Sequence, residues 1–170
     1  MKVVDAIFQG IDLMSIWVGK AVAYLLIPLV LALTYEVFAR YLFDAPTVFA
    51  HELGIYLYAV NGMMAGAWVL FHEEHVRMDA VHGRCSPRVK AIIDIFTAPI
   101  FFVFVSMVIW HGGIMAYQSI VSLEHTTTTW APPWYPFKSV IPVAAFLLAL
   151  EGISKFRRDI LAVCGKRGVS

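Results

Sequence analysis

Four stretches of the chain are apolar for long enough to cross a bilayer, and short polar segments divide them. A crossing helix needs about 20 mostly apolar residues, because a rise of 1.5 Å per residue must cover about 30 Å of hydrocarbon. The pattern predicts spans over about 16–38, 50–71, 95–119 and 137–155. The runs Leu53–Phe71 and Ile95–Leu123 contain no Asp, Glu, Lys or Arg. The first window is charge-free from Ala21 to Tyr35 and carries Lys20 and Glu36 near its ends, where a lysine can snorkel to the interface. The fourth has Lys138 and Glu151 at its edges and spans with Trp134 and Tyr135 in the headgroup layer.

Ahead of the first span, Val3, Val4, Ile7, Phe8, Ile11 and Met14 recur at helical spacing opposite Asp5, Gln9 and Asp12. This reads either as an amphipathic lead-in at the membrane surface or as an extension of the first helix. Asp5 and Asp12 interrupt the basic region, and no small-residue cleavage site follows, so the first apolar segment is expected to remain as a helix. Gly83 punctuates the second loop, and Ser86-Pro87 forms an N-cap with proline at the first helical position.

Basic residues set the expected orientation. Of thirteen, eleven lie on the side of the two termini and the loop between spans two and three. They are Lys2, Lys20, Arg77, Arg84, Arg88, Lys90, Lys155, Arg157, Arg158, Lys166 and Arg167. Only Arg40 and Lys138 lie on the other side, so both termini are expected to be cytoplasmic. Composition agrees with a lipid environment: 60% of 170 residues are hydrophobic and 15% charged, with a mean hydropathy of +0.74. A single core of this size could not hide that apolar excess. The fold class expected is an all-α integral membrane domain over residues 1–170, with four transmembrane helices and an amphipathic lead-in. A net charge of +1 and the absence of a basic, aromatic-studded run give no basis for a nucleic-acid partner.

Candidate chemistry is sparse. Cys85 and Cys164 fit neither a disulfide framework nor a zinc site. Of the six histidines only His111 lies deep in a span, and haem held between helices needs two facing ligands. His72-Glu73-Glu74-His75 lacks the spacing that puts two histidines of a zinc motif on one helical face. No phosphate-binding glycine loop, nucleophile elbow or carboxylate dyad occurs, so an enzyme is not expected. Glu36 and Arg40 are one helical turn apart and can pair, while Glu52 is a second possible partner for Arg40. Gly54, Gly62 and Gly66 share a face of span two, and small residues permit close helix approach in lipid. The same face could meet another helix of this chain or a different protein.

From Val37 to Ile153 the chain resembles the DctQ-like small membrane subunit of tripartite ATP-independent periplasmic (TRAP) transporters. The resemblance rests on Phe38-Ala39-Arg40-Tyr41-Leu42-Phe43, His51-Glu52-Leu53 and Gly66-Ala67-Trp68. It also rests on Glu74-His75-Val76-Arg77-Met78-Asp79, which is similar to an E-H-[VI]-R-x-D stretch, and on Pro133-Trp134 and Ile141-Pro142. His51 departs from an acidic pair common at that place, so a role for the pair carries over only to Glu52. The Thr126–Thr129 run matches no feature of the family pattern.

The resemblance implies a scaffold subunit that supports sodium-coupled uptake of an organic anion (a carboxylate, sialic acid or sulfonate). Its implied partners are a large DctM-like membrane subunit, a periplasmic substrate-binding protein and membrane lipids. It implies a multi-pass protein of a bacterial or archaeal cytoplasmic (inner) membrane. No cofactor is expected in this chain, and sodium is expected on the large subunit. Arg40, Glu52, Arg77, Asp79, Gly62 and Gly66 are the expected structural or partner-contact residues. Two other classes compete: a haem- or quinone-associated anchor of a respiratory oxidoreductase, testable by Soret absorbance, and a stand-alone channel, testable by conductance of the reconstituted chain.

Overall fold

The computed structural model describes residues 2–72 and 87–163. Four helices account for most of them: α1 (Lys2–Leu42), α2 (Val48–Phe71), α3 (Pro87–Val121) and α4 (Tyr135–Val163). Each contains a segment long and apolar enough to cross a membrane. The described fold is thus all-helical with four candidate spans.

The α1 helix runs unbroken for 41 residues, about 60 Å, or twice the hydrocarbon thickness. The amphipathic lead-in is therefore continuous with the first span. Along α1, exposed Trp17 lies toward one end and exposed Tyr35 and Tyr41 toward the other, a spacing suited to two membrane interfaces. Pro28, Pro99 and Pro142 sit inside α1, α3 and α4, each deleting one backbone donor while the helix continues around it.

The helices form two tight pairs, α1 with α2 and α3 with α4, joined chiefly where α2 packs on α4. A lighter α1–α4 contact completes the arrangement. The interior is thin and built largely from small residues: Ala39, Ala50, Ala67, Ala116, Ala144 and Ala145 are buried, with Val22, Leu29 and Val105 supplying bulk. Large apolar side chains point outward instead, including Phe96, Ile100, Phe104 and Trp110 on α3. That inversion suits a lipid solvent, where close approach of backbones, rather than hydrophobic burial, holds helices together.

The loops are compact. Between α1 and α2, Asp44 takes a left-handed conformation (φ 49°), and the amide of Ala45 reaches the carbonyl of Ala39 at 3.0 Å. At the end of α3, Leu123 is left-handed (φ 46°), and two bonds, Leu123 to Ile120 and Glu124 to Ser119, close a Schellman motif. The Thr126–Thr129 run then lies in a folded-back turn. Thr126 donates its amide to Pro132, the Thr126 and Thr128 hydroxyls meet at 2.9 Å, and His125 bridges to Pro133. This gives those threonines a local structural use.

Candidate functional site: polar clamps at the two ends of the bundle

Polar side chains concentrate at the two ends of the helices. At the end where α1 begins and α4 finishes, Glu151 is completely buried. Its Oε2 accepts from the Ser15 hydroxyl at 2.9 Å and its Oε1 from Arg158 Nη2 at 2.8 Å. Arg158 also contacts Asp12 at 3.1 Å, and Ser154 donates to Asp12 at 2.6 Å. Both carboxylates are thus compensated by one guanidinium and two hydroxyls, which is what burial of charge requires. The α4 spacing 151, 154, 158 puts the three donors and acceptors on one face, turned toward α1. Arg158 lies 5.4 Å from the centre of the Phe71 ring, and Arg157 4.4 Å from that of Phe8, so the clamp also touches α2.

A second ion pair serves α3. Lys155 reaches Asp94 at 2.8 Å across the α3–α4 interface and Asp159 at 3.6 Å on its own helix. These three charges border a cavity of about 230 Å³ whose other walls include Phe101, Phe102 and Phe156.

At the opposite end, Arg40 bonds Glu36 through Nε at 3.0 Å and through Nη2. Glu36 also accepts from the Thr47 hydroxyl at 3.5 Å, which leaves Thr47 without a capping bond to α2. Of the two partners open to Arg40 from the sequence, the structure places Glu36 beside it. Glu52 is buried on α2, 9% exposed, and its Oε2 has no hydrogen-bond partner. On the α3–α4 loop, Glu124 meets Lys138 at 2.5 Å, and Lys138 lies 4.9 Å from the centre of the Trp134 ring. The Lys138 ammonium holds the Glu124 carboxyl below its ordinary value.

Between the two ends little polar chemistry remains. Asn61 donates to the carbonyl of Val22 at 2.8 Å, tying α2 to α1, and His111 is on an exposed face of α3. Among the described residues no three His, Cys, Asp or Glu side chains form a group able to hold a metal. The arrangement can bind helices to one another, and it offers no continuous polar path among the described residues.

The small residues are not equivalent. A side chain at Gly19 would collide with the Trp68 indole, and a Cβ at Gly152 would come within 2.5 Å of Phe101. Gly66 faces Leu148 at ordinary contact distance, 3.8 Å, while Gly62 opens onto empty space. Gly54, on the same α2 pattern, is a tight crossing, where a Cβ would come within 2.8 Å of Leu33 on α1; the other tight crossings, at Gly19 and Gly152, lie outside that pattern. Arg77 and Asp79, with the Glu74–Asp79 motif, lie outside the described residues. The buried clamp of Asp12, Ser15, Glu151, Ser154 and Arg158 was also missed. The signal available was a carboxylate inside an otherwise apolar window, with an arginine two turns on.

The family profile described as tripartite ATP-independent periplasmic transporters, DctQ component, matches residues 29–162. No curated protein matches the chain. The match covers most of the sequence, and the chain belongs to the DctQ component family.

Proposed function

We propose, with membership of a transporter-component family as the premise, that this chain is the small scaffold subunit of a TRAP-type secondary transporter. In this reading it holds the static part of a large DctM-like subunit in a cytoplasmic membrane. The large subunit carries substrate and sodium, and a periplasmic binding protein delivers an organic anion of the carboxylate, sialic acid or sulfonate class. This chain holds no cofactor and performs no chemistry of its own. Both termini face the cytoplasm, since the basic residues cluster on that side.

The observation that carries the reading is how the polar groups are used. Glu151, Asp12, Arg158, Lys155 and Asp94 are spent on helix-to-helix clamps, and Arg40 with Glu36 on a clamp within α1. A relay or carrier needs polar groups along the depth of the bundle. A support needs ends that are pinned and outer faces that are apolar.

The test is purification of the tagged chain in mild detergent from cells that also express the large subunit and binding protein. Recovery of a membrane protein with many helices at a fixed ratio supports the scaffold. A chain that purifies alone, with every candidate partner left behind, overturns it.

A further inference from the structure

We infer that the outward face of α3 is where two copies of this chain pair about a two-fold axis, with Ser106 of one copy donating its hydroxyl to His111 of the other. The inference goes beyond the scaffold reading and does not depend on it.

The α3 helix turns a narrow line inward: Val105, Gly112 and Ser119, seven residues apart, are buried against the bundle. The opposite face is open, and its large side chains keep a regular order. Ile100, Val103, Met107, Trp110, Ile114 and Tyr117 are all exposed and recur at alternating steps of three and four over about 26 Å. This is the repeat of a helix that coils left-handedly about another helix, with the six residues forming the seam.

Apolar side chains at this spacing suit lipid as well as protein, and the polar groups beside them decide between the two. Ser106 lies at the midpoint of the candidate span Ile92–Val121, and His111 about 7 Å from it, both on the open face. Neither side chain has a hydrogen-bond partner among the described residues. Hydrocarbon provides none, and an imidazole at this depth belongs against protein or water, paired. The face is therefore one that another polypeptide covers.

A second copy supplies what both groups lack. Two copies inserted in the same orientation can bring their α3 helices together only in parallel, and a two-fold axis makes every contact twice. In a parallel pair with this repeat, the residue flanking the seam at 106 meets the residue five positions further along the other helix, which is 111. The serine hydroxyl donates and an imidazole nitrogen accepts, once on each side of the axis. The chain is thus complementary to itself at the depth where lipid offers nothing. A lipid tail in this place would leave both groups unpaired.

The full chain, carrying Cys85→Ser and Cys164→Ser, is co-expressed with the large subunit and oxidised in the membrane. A disulfide needs Cα atoms within about 7 Å of each other. Met107→Cys and Ile114→Cys, on the seam, should give a crosslinked dimer as the main product. Leu31→Cys, as exposed on α1 as Met107 is on α3, should stay monomeric. Energy transfer between donor- and acceptor-labelled chains in liposomes, followed as lipid is added, measures the dissociation constant. We expect His111→Leu and Ser106→Ala each to raise it about fivefold, and the double variant to raise it no further, because either change removes the same two bonds. His111→Asn, which keeps an acceptor, should lie closer to wild type. Monomer from both seam cysteines, or equal crosslinking from Leu31→Cys, overturns the dimer. A photo-crosslinking residue at Met107 that joins only the large subunit overturns it as well and gives the face to that protein. A dimer whose dissociation constant is the same in all three variants overturns the Ser106–His111 pairing.

Discussion

The side chains that matter most for the bundle are charged ones in apolar surroundings. Glu151 was legible only as an edge charge, because its partner Ser15 is 136 positions away in sequence and Asp12, bonded by Ser154 of the same cluster, is 142 from that serine. Pairing within one helix was readable: Glu36 and Arg40 are four apart, and the structure joins them. Removing Glu151 strands the buried Ser15 hydroxyl but leaves Arg158 its bond to Asp12, so the cost is that of an unpaired buried polar group, about 2 kcal/mol. Glu151→Ala should therefore lower stability by about that amount, with Glu151→Gln less damaging because it can keep the Ser15 bond. Thermal unfolding in detergent ranks the variants, and an unchanged midpoint for Glu151→Ala would contradict the clamp. The loop pair predicts a pH effect. Glu124 has a folded-state pKa below the ordinary 4.5, so its contribution is present above that value and fades as pH falls through the lowered one. The stability difference between wild type and Glu124→Gln should be present at neutral pH and vanish in acid. A difference independent of pH would show that the carboxylate charge is not what Lys138 senses.

At the scale of elements, hydropathy was enough to find all four helices, since uninterrupted apolar runs of this length have few alternatives. Where helices would touch was less legible. The spacing on α2 drew attention to Gly54, Gly62 and Gly66, of which only Gly54 meets a close neighbour, Leu33 of α1, while the closest approaches use Gly19 with Trp68 and Gly152 with Phe101. A glycine shows in sequence that a side chain is missing, and only the facing helix determines whether that space is occupied. Gly152→Leu should consequently disrupt the α3–α4 pair and lower the unfolding midpoint by several degrees. Gly62→Ala should leave the isolated chain unchanged, because its Cβ meets nothing within 4 Å. Equal tolerance of both substitutions would contradict the packing described. The lead-in before the first span could be read two ways, and continuity of α1 joins it to the span as one helix. The loop after α3 carried no recognisable signal, because its shape depends on Leu123 and Ala131 taking left-handed conformations that favour glycine.

For the whole molecule, the sequence resemblance and the family match agree on a TRAP small subunit. The motif from Glu74 to Asp79 contributed to the resemblance, although its geometry lies outside the described residues. Placement in the membrane makes its own prediction: tags at both ends should be accessible from the cytoplasm only, and labelling at opposite faces would contradict four crossings. On the proposed scaffold role, uptake resides in a companion polypeptide that this chain supports. Proteoliposomes holding the purified chain alone should show no solute uptake under a sodium gradient. Liposomes that also contain the large subunit, supplied with the binding protein, should accumulate the anion. Uptake or ion conductance by this chain alone would contradict the account.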